Sequence, residues 1–159
     1  MSRRSAVAAF AAILSVPVLL AGCASPSAAV EQSLAREAVA DVPHTSAAIV
    51  NVSYNGSPYR QGVGVKVYID RGSQADIAAA VESALKTMWT EFPVEPAHIG
   101  VRVVVGPMSS GATYADLDGV KMTEVAAVLN LDPGDVGLRD LLVERKELEQ
   151  RYGPWKKPE

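Results

Sequence analysis

Cysteine is almost absent from this 159-residue chain: Cys23 is the only one. A single thiol closes no disulfide within the chain, so stability has to come from ordinary packing. Histidine is nearly as scarce, with His44 and His98 alone. A zinc site needs three or four ligands, and two histidines at separate strand entries do not supply that spacing. Hydrolase signals are missing too, since no Gly-x-Ser-x-Gly elbow occurs and neither histidine has a recognisable partner. There is no basic excess: 15 Lys and Arg stand against 18 Asp and Glu, a formal charge of −3. Nucleic acid and anionic headgroups are therefore disfavoured partners. Nor does any apolar run reach the roughly 20 residues of a comfortable membrane span; the stretch from about Ala6 to Leu20 is interrupted by Pro17. Internal repeats and long low-complexity segments are not found.

What is present begins at the N-terminus. Arg3 and Arg4 form a basic start, the apolar stretch follows, and Leu20-Ala21-Gly22-Cys23 ends it. These three parts in this order resemble bacterial lipoprotein precursors. The resemblance implies a signal peptide over residues 1–22 and a mature chain that starts at Cys23, its sulfur carrying diacylglyceryl, with palmitate-class acyl chains. Ser2-Arg3-Arg4 is also similar to a twin-arginine export signal. Two or more acyl chains hold a protein on a bilayer stably, so the implied location is the extracytoplasmic side of the cell membrane. Residues 23–29 then read as the lipidated cysteine and a short tether, with a flexible reach on the order of 13 Å. Loss of Arg3 and Arg4 leaves 13 basic against 18 acidic side chains.

The remainder, residues 30–152, is of a length for one domain. Val30, Leu34, Ala38 and Val42 recur at helical spacing until Pro43. Residues 46–54 and 61–70 alternate apolar and polar as two strands, and Asn55-Gly56-Ser57-Pro58 between them predicts an antiparallel hairpin. Ser73 with Asp76 forms a capping-box pattern that opens a helix through about Glu91, whose stripe of Ile77, Ala80, Val81, Ala84, Leu85, Met88 and Trp89 is core. Ile99, Val101, Val103 and Val105 predict a third strand. Further on, residues 121–129 read as helical, 132–135 as a turn, and 137–152 as a last helix with Leu138, Leu141, Leu142, Leu148 and Tyr152 on one side. The expected fold is α+β: an α-β-β-α-β core over residues 30–106, with a three-stranded sheet covered by two helices. A helical extension over 112–152 and a loose tail over 153–159 complete it.

That element order is similar to BON-like domains, to ferredoxin-like half-units and to the ring-building motifs of secretion-system lipoproteins. For BON domains the resemblance implies phospholipid binding, which the acidic balance here opposes. Asp116-Leu117-Asp118-Gly119 has the look of a calcium-loop start, but neither the glycine nor the glutamate falls at the required spacing, so these read as turn carboxylates. Gly62 and Gly64 lie inside a strand and read as permitting close approach of another backbone across the sheet.

No catalytic residue, metal site or cofactor is assigned. One surface is singled out: the sheet face opposite the helices carries Lys66, Tyr68 and Arg102, a composition suited to docking a protein segment. Its alternative is that the C-terminal helix lies over this face or beside the first two helices, in which case Tyr68 and Arg102 are structural. The function expected is a non-catalytic accessory or scaffolding lipoprotein that binds another envelope protein. A binding protein for a small envelope ligand is the alternative, and a hydrolytic enzyme the third reading.

Overall fold

A computed structural model describes residues 28–54, 61–132, 136–137 and 139–159. Cys23 and the signal segment before it, residues 24–27 of the tether, the turn at 55–58 and residues 133–135 lie outside the described residues. The elements are α1 (Ala28–Glu37), β1 (Thr45–Tyr54), β2 (Gln61–Ile69), α2 (Gln74–Glu91), β3 (Pro96–Val105), α3 (Thr123–Val128), β4 (Leu141–Glu144) and α4 (Arg145–Tyr152). The class is α+β, and the sheet has four strands in the order β1-β2-β3-β4.

Alternation builds the first half. β1 and β2 pair antiparallel with Val50 opposite Val65 and Val52 opposite Val63, so their valines fall on one face. α2 starts on the expected capping box: the Asp76 amide donates to Ser73 Oγ, and Asp76 Oδ2 accepts from the Ser73 amide at 2.8 Å. It ends at Phe92, ahead of Pro93. As the connection between β2 and β3, this helix lets the two strands run parallel, with Val65 beside Val101 and Val67 beside Val103.

All helices that bury apolar side chains do so in one core. It joins Leu34 and Ala38 of α1, the stripe of α2 from Ala80 to Trp89, the valines of the sheet, Val125 of α3 and Leu148 of α4. Val105, expected on this face, lies at the strand end and is 48 % exposed.

The largest departure concerns residues 137–152. Instead of one helix, Leu141–Glu144 form β4, antiparallel to β3, with Val143 opposite Ile99 and Leu141 opposite Val101. The sheet therefore gains a fourth strand, drawn from residues expected to be helical. Leu141 and Val143 are buried while Leu142 and Glu144 are exposed, a period of two that four residues are too few to reveal. The open edge of β3, with apolar Ile99 and Val101 at hand, decided between strand and helix through contacts distant in the chain.

The tail departs as well. Trp155 packs against the core beside Tyr152, and Trp89 Nε1 donates to the Gly153 carbonyl at 2.9 Å. A buried indole N–H needs an acceptor, and the chain end provides it. α4 is locked to α2 by Arg151, which donates to the Glu82 carboxylate at 2.7 and 3.0 Å and to the Leu129 carbonyl at 2.9 Å. Tyr152 Oη donates to the same carboxylate at 3.0 Å. This places α4 on the helix side of the sheet and leaves the opposite face to another segment.

Candidate functional site

Period-two geometry puts Gly62, Gly64, Lys66 and Tyr68 of β2, and His98, Gly100, Arg102 and Val104 of β3, on that opposite face. Lys66 and Arg102 are direct neighbours in the ladder, a pairing that the strand order decides. They are not an open surface, however: Lys66 is 0 % exposed, Tyr68 1 % and Arg102 5 %. The cover is the segment 106–120, not the C-terminal helix. It leaves β3 at Gly106, whose φ of 127° suits only glycine, and returns with the Val120 amide donating to the Val103 carbonyl at 2.8 Å.

Two buried cations hold this strap. Lys66 Nζ donates to the carbonyls of Thr113 and Asp116 at 3.0 and 3.2 Å and pairs with the Asp118 carboxylate. Arg102 makes a two-pronged pair with Asp140, Nε to Oδ1 at 2.7 Å and Nη2 to Oδ2 at 2.8 Å, while Nη1 donates to the Tyr114 carbonyl at 3.0 Å. The strap braces itself through the Thr113 amide, which donates to Asp116 Oδ2 at 2.7 Å. Asp116 and Asp118, the expected turn carboxylates, are thus ion-pair partners of a buried lysine. Such cations are tolerated inside because their protons are satisfied. The Tyr68 hydroxyl is enclosed and finds no hydrogen-bond partner among the described residues.

The electrostatics fit a strap closed at neutral pH. Burial is the largest single influence on Lys66 and by itself would lower its pKa; hydrogen bonding and charge attraction from Asp118 and Tyr68 together outweigh it, and the ammonium titrates above its ordinary value. Donation by the Thr113 amide holds the Asp116 carboxyl below its usual range, and burial pushes the Tyr114 phenol up. A depressed carboxyl contributes stability that is present above its unfolded value and lost as pH falls through the folded one. A raised ammonium or phenol contributes stability that is present below its unfolded value and lost as pH climbs past the folded one. Protease cleavage within 106–120 is therefore expected to stay flat from about pH 5 to 9 and to rise below about pH 4, the ordinary carboxylate range. Cleavage that varies with pH across neutrality would contradict this assignment.

Glycines shape the floor under the strap. A methyl group on Gly64 would overlap the Tyr114 ring, with Tyr114 Oη only 2.7 Å away, and Gly100 faces the same hydroxyl. On Gly62 it would collide with the His98 imidazole and lie 2.8 Å from Ser53 Oγ. What approaches Gly62 and Gly64 is therefore side chains and not the backbone expected there. The Arg102 guanidinium lies over the Tyr114 ring, 5.3 Å from its centre. Gly64→Ala is expected to destabilise the protein by about 1–3 kcal/mol through overpacking, read from urea unfolding, with Tyr114 displaced and the strap more easily cleaved.

A second feature is the outer side of β1. Among the described residues no strand pairs there, so β1 is a sheet edge. Its ten residues, Thr-Ser-Ala-Ala-Ile-Val-Asn-Val-Ser-Tyr, contain no charge and no proline. A single irregularity falls at its start, between Thr45 and Ala47. Folded proteins blunt exposed edges with charges, proline, bulges or short length, and nearly all of that is missing here. α1 lies along the same edge. Two shallow recesses of about 240 and 250 Å³ open between them, the first beside Arg36, Ser46 and Ala47, the second beside Glu31, Ile49 and Val50. Sequence reasoning found the strand but not its edge position; the lack of any charge over residues 45–54 was the available signal.

Elsewhere, a groove of about 480 Å³ lies between α1 and α2 and is lined by Glu37, Asp41, Glu82, Lys86 and Glu91. Another of about 480 Å³ is lined by Trp89, Tyr152, Trp155 and Lys156. Among the described residues no three His, Cys, Asp or Glu side chains could share a metal ion. His44 is exposed in the turn before β1, and the hydrogen bonds among the described residues join His98 to no carboxylate. No helix of the described residues is long and apolar enough to cross a membrane. Comparison with protein-family models, with curated proteins and with solved structures finds no match to this chain.

Proposed function

We propose that this chain is a lipid-anchored envelope lipoprotein whose α+β domain is a non-catalytic protein-docking module, with the β1 edge and the adjoining rim of α1 as its docking element. The observation that carries this reading is the uncharged edge strand, ten residues long, with recesses on both sides of Ala48. An edge of this kind recognises an extended segment by main-chain hydrogen bonding, while alternate side chains enter flanking recesses. Anchoring through Cys23 keeps the edge within a short tether of the bilayer. The buried state of Lys66, Tyr68 and Arg102 moves the docking role away from them, and Lys66 and Arg102 serve as the fastening of the strap.

A photo-crosslinking residue placed at the exposed positions Ser46 or Ser53 in intact cells tests the docking element. Adducts are expected from these positions and not from Lys86 on α2; their absence from β1 would sink it. Separately, Cys23→Ser is expected to move the protein from the membrane to the soluble fraction, since acyl chains supply the attachment.

A small envelope ligand remains the second reading, favoured by the groove between Trp89, Tyr152 and Trp155, where Trp155 Nε1 is enclosed without an acceptor among the described residues.

A further inference from the structure

We propose that the occupant of the β1 edge is β1 of a second copy of this chain, paired antiparallel about a two-fold axis beside Ala48 and Ile49, so that two four-stranded sheets become one. The proposal rests on the docking reading above and names its partner.

Charge is the first argument. The chain is acidic overall, with 13 basic against 18 acidic side chains once the signal segment is removed, so two copies repel across most of their surfaces. β1 is a stretch where no charge opposes association. In a two-fold pairing the same strand meets itself. Antiparallel partners share a face, so odd positions meet odd and even meet even. About Ala48, Ala48 faces its own copy and Ala47 faces Ile49; about Ile49, Ile49 faces its copy and Ala48 faces Val50. Both ladders are uncharged, and both keep all helices on one side.

The rim adds complementarity that an arbitrary strand would lack. Along α1, Glu31 borders the recess beside Ile49 and Val50, and Arg36 borders the one beside Ser46 and Ala47. A two-fold axis between them sets α1 antiparallel to its copy, which directs Glu31 toward the partner's Arg36, twice over. Neither side chain has an ion-pair partner among the described residues. Val30, 36 % exposed on the same helix, would gain cover. Anchoring agrees with the same axis: it runs perpendicular to the sheet, so both α1 helices lie on one face, and two copies tethered ahead of α1 share one bilayer. Confinement to that bilayer raises the effective concentration of each copy for the other.

Cysteine crosslinking of the full lipidated chain in its membrane is the test. Acylation occupies Cys23, so Ala48→Cys or Ile49→Cys supplies the only free thiol. Directly opposed residues of an antiparallel pair lie about 4.5–5.5 Å apart at Cα, within disulfide reach. Oxidation is expected to give a product of twice the chain mass from at least one of the two variants, at least fivefold above Lys86→Cys. Glu31→Lys or Arg36→Glu alone should lower its yield at least threefold, and the two together should restore it. Products of another mass would overturn the second-copy proposal and leave the docking reading standing; no product of any kind would overturn both. Native mass spectrometry of the unsubstituted chain in detergent guards against variants that fail to fold. A dimer is expected there, and a monomer overturns the proposal.

Discussion

Arg102→Ala is expected to destabilise the protein by about 3 kcal/mol and to release the strap over β2 and β3. The guanidinium satisfies both Asp140 oxygens and the Tyr114 carbonyl while flanking the Tyr114 ring. Removing one partner of a buried pair typically costs about 3–5 kcal/mol, and the figure belongs at the low end because Asp140 is 39 % exposed and recovers solvent. Arg102→Lys keeps a charge yet loses the planar fork, so it should fall between wild type and alanine. Urea unfolding gives the magnitude, and limited proteolysis locates the loss. Unchanged cleavage within 106–120 would show that the strap does not depend on Arg102. An opened strap exposes Lys66 and Tyr68, so the same variant is the route by which that face could become a surface.

The second large effect is expected at Trp89. Its side chain is 1 % exposed at the end of the α2 stripe, and its indole N–H is bound to the Gly153 carbonyl. Trp89→Ala should cost about 3–5 kcal/mol through lost burial and the cavity left behind. Trp89→Phe keeps most of the volume and loses the hydrogen bond, for about 1 kcal/mol. The alanine variant should also free the chain end, seen as a red shift in the emission of Trp155. A stability loss without that shift would mean that Trp155 is held by α4 alone, through Arg151 and Tyr152 on Glu82.

Local pattern sufficed where an element carries its own signal. The valine alternation of β1 and β2, the Ser73-Asp76 cap and the long stripe of α2 each report a backbone conformation through a period of two or 3.6, and all stand where expected. β4 did not report itself, because four residues offer two alternations and the adjacent leucines also fit a helix. The strap was illegible for a different reason: its carbonyls and carboxylates acquire meaning only from Lys66 and Arg102, about 50 and 14 positions distant at the Asp116 carbonyl.

From the sequence alone came the anchor expectation at Cys23, the acidic balance, the α+β class and the grouping of Lys66, Tyr68 and Arg102 on one sheet face, since strand periodicity assigns side chains to faces without knowing what lies above them. Only the tertiary structure decided that the face is roofed by 106–120, that Leu141–Glu144 complete the sheet and that β1 is left at its edge. Each of these depends on which distant segments meet, and pairing and cover are properties of the assembled chain that no local period encodes.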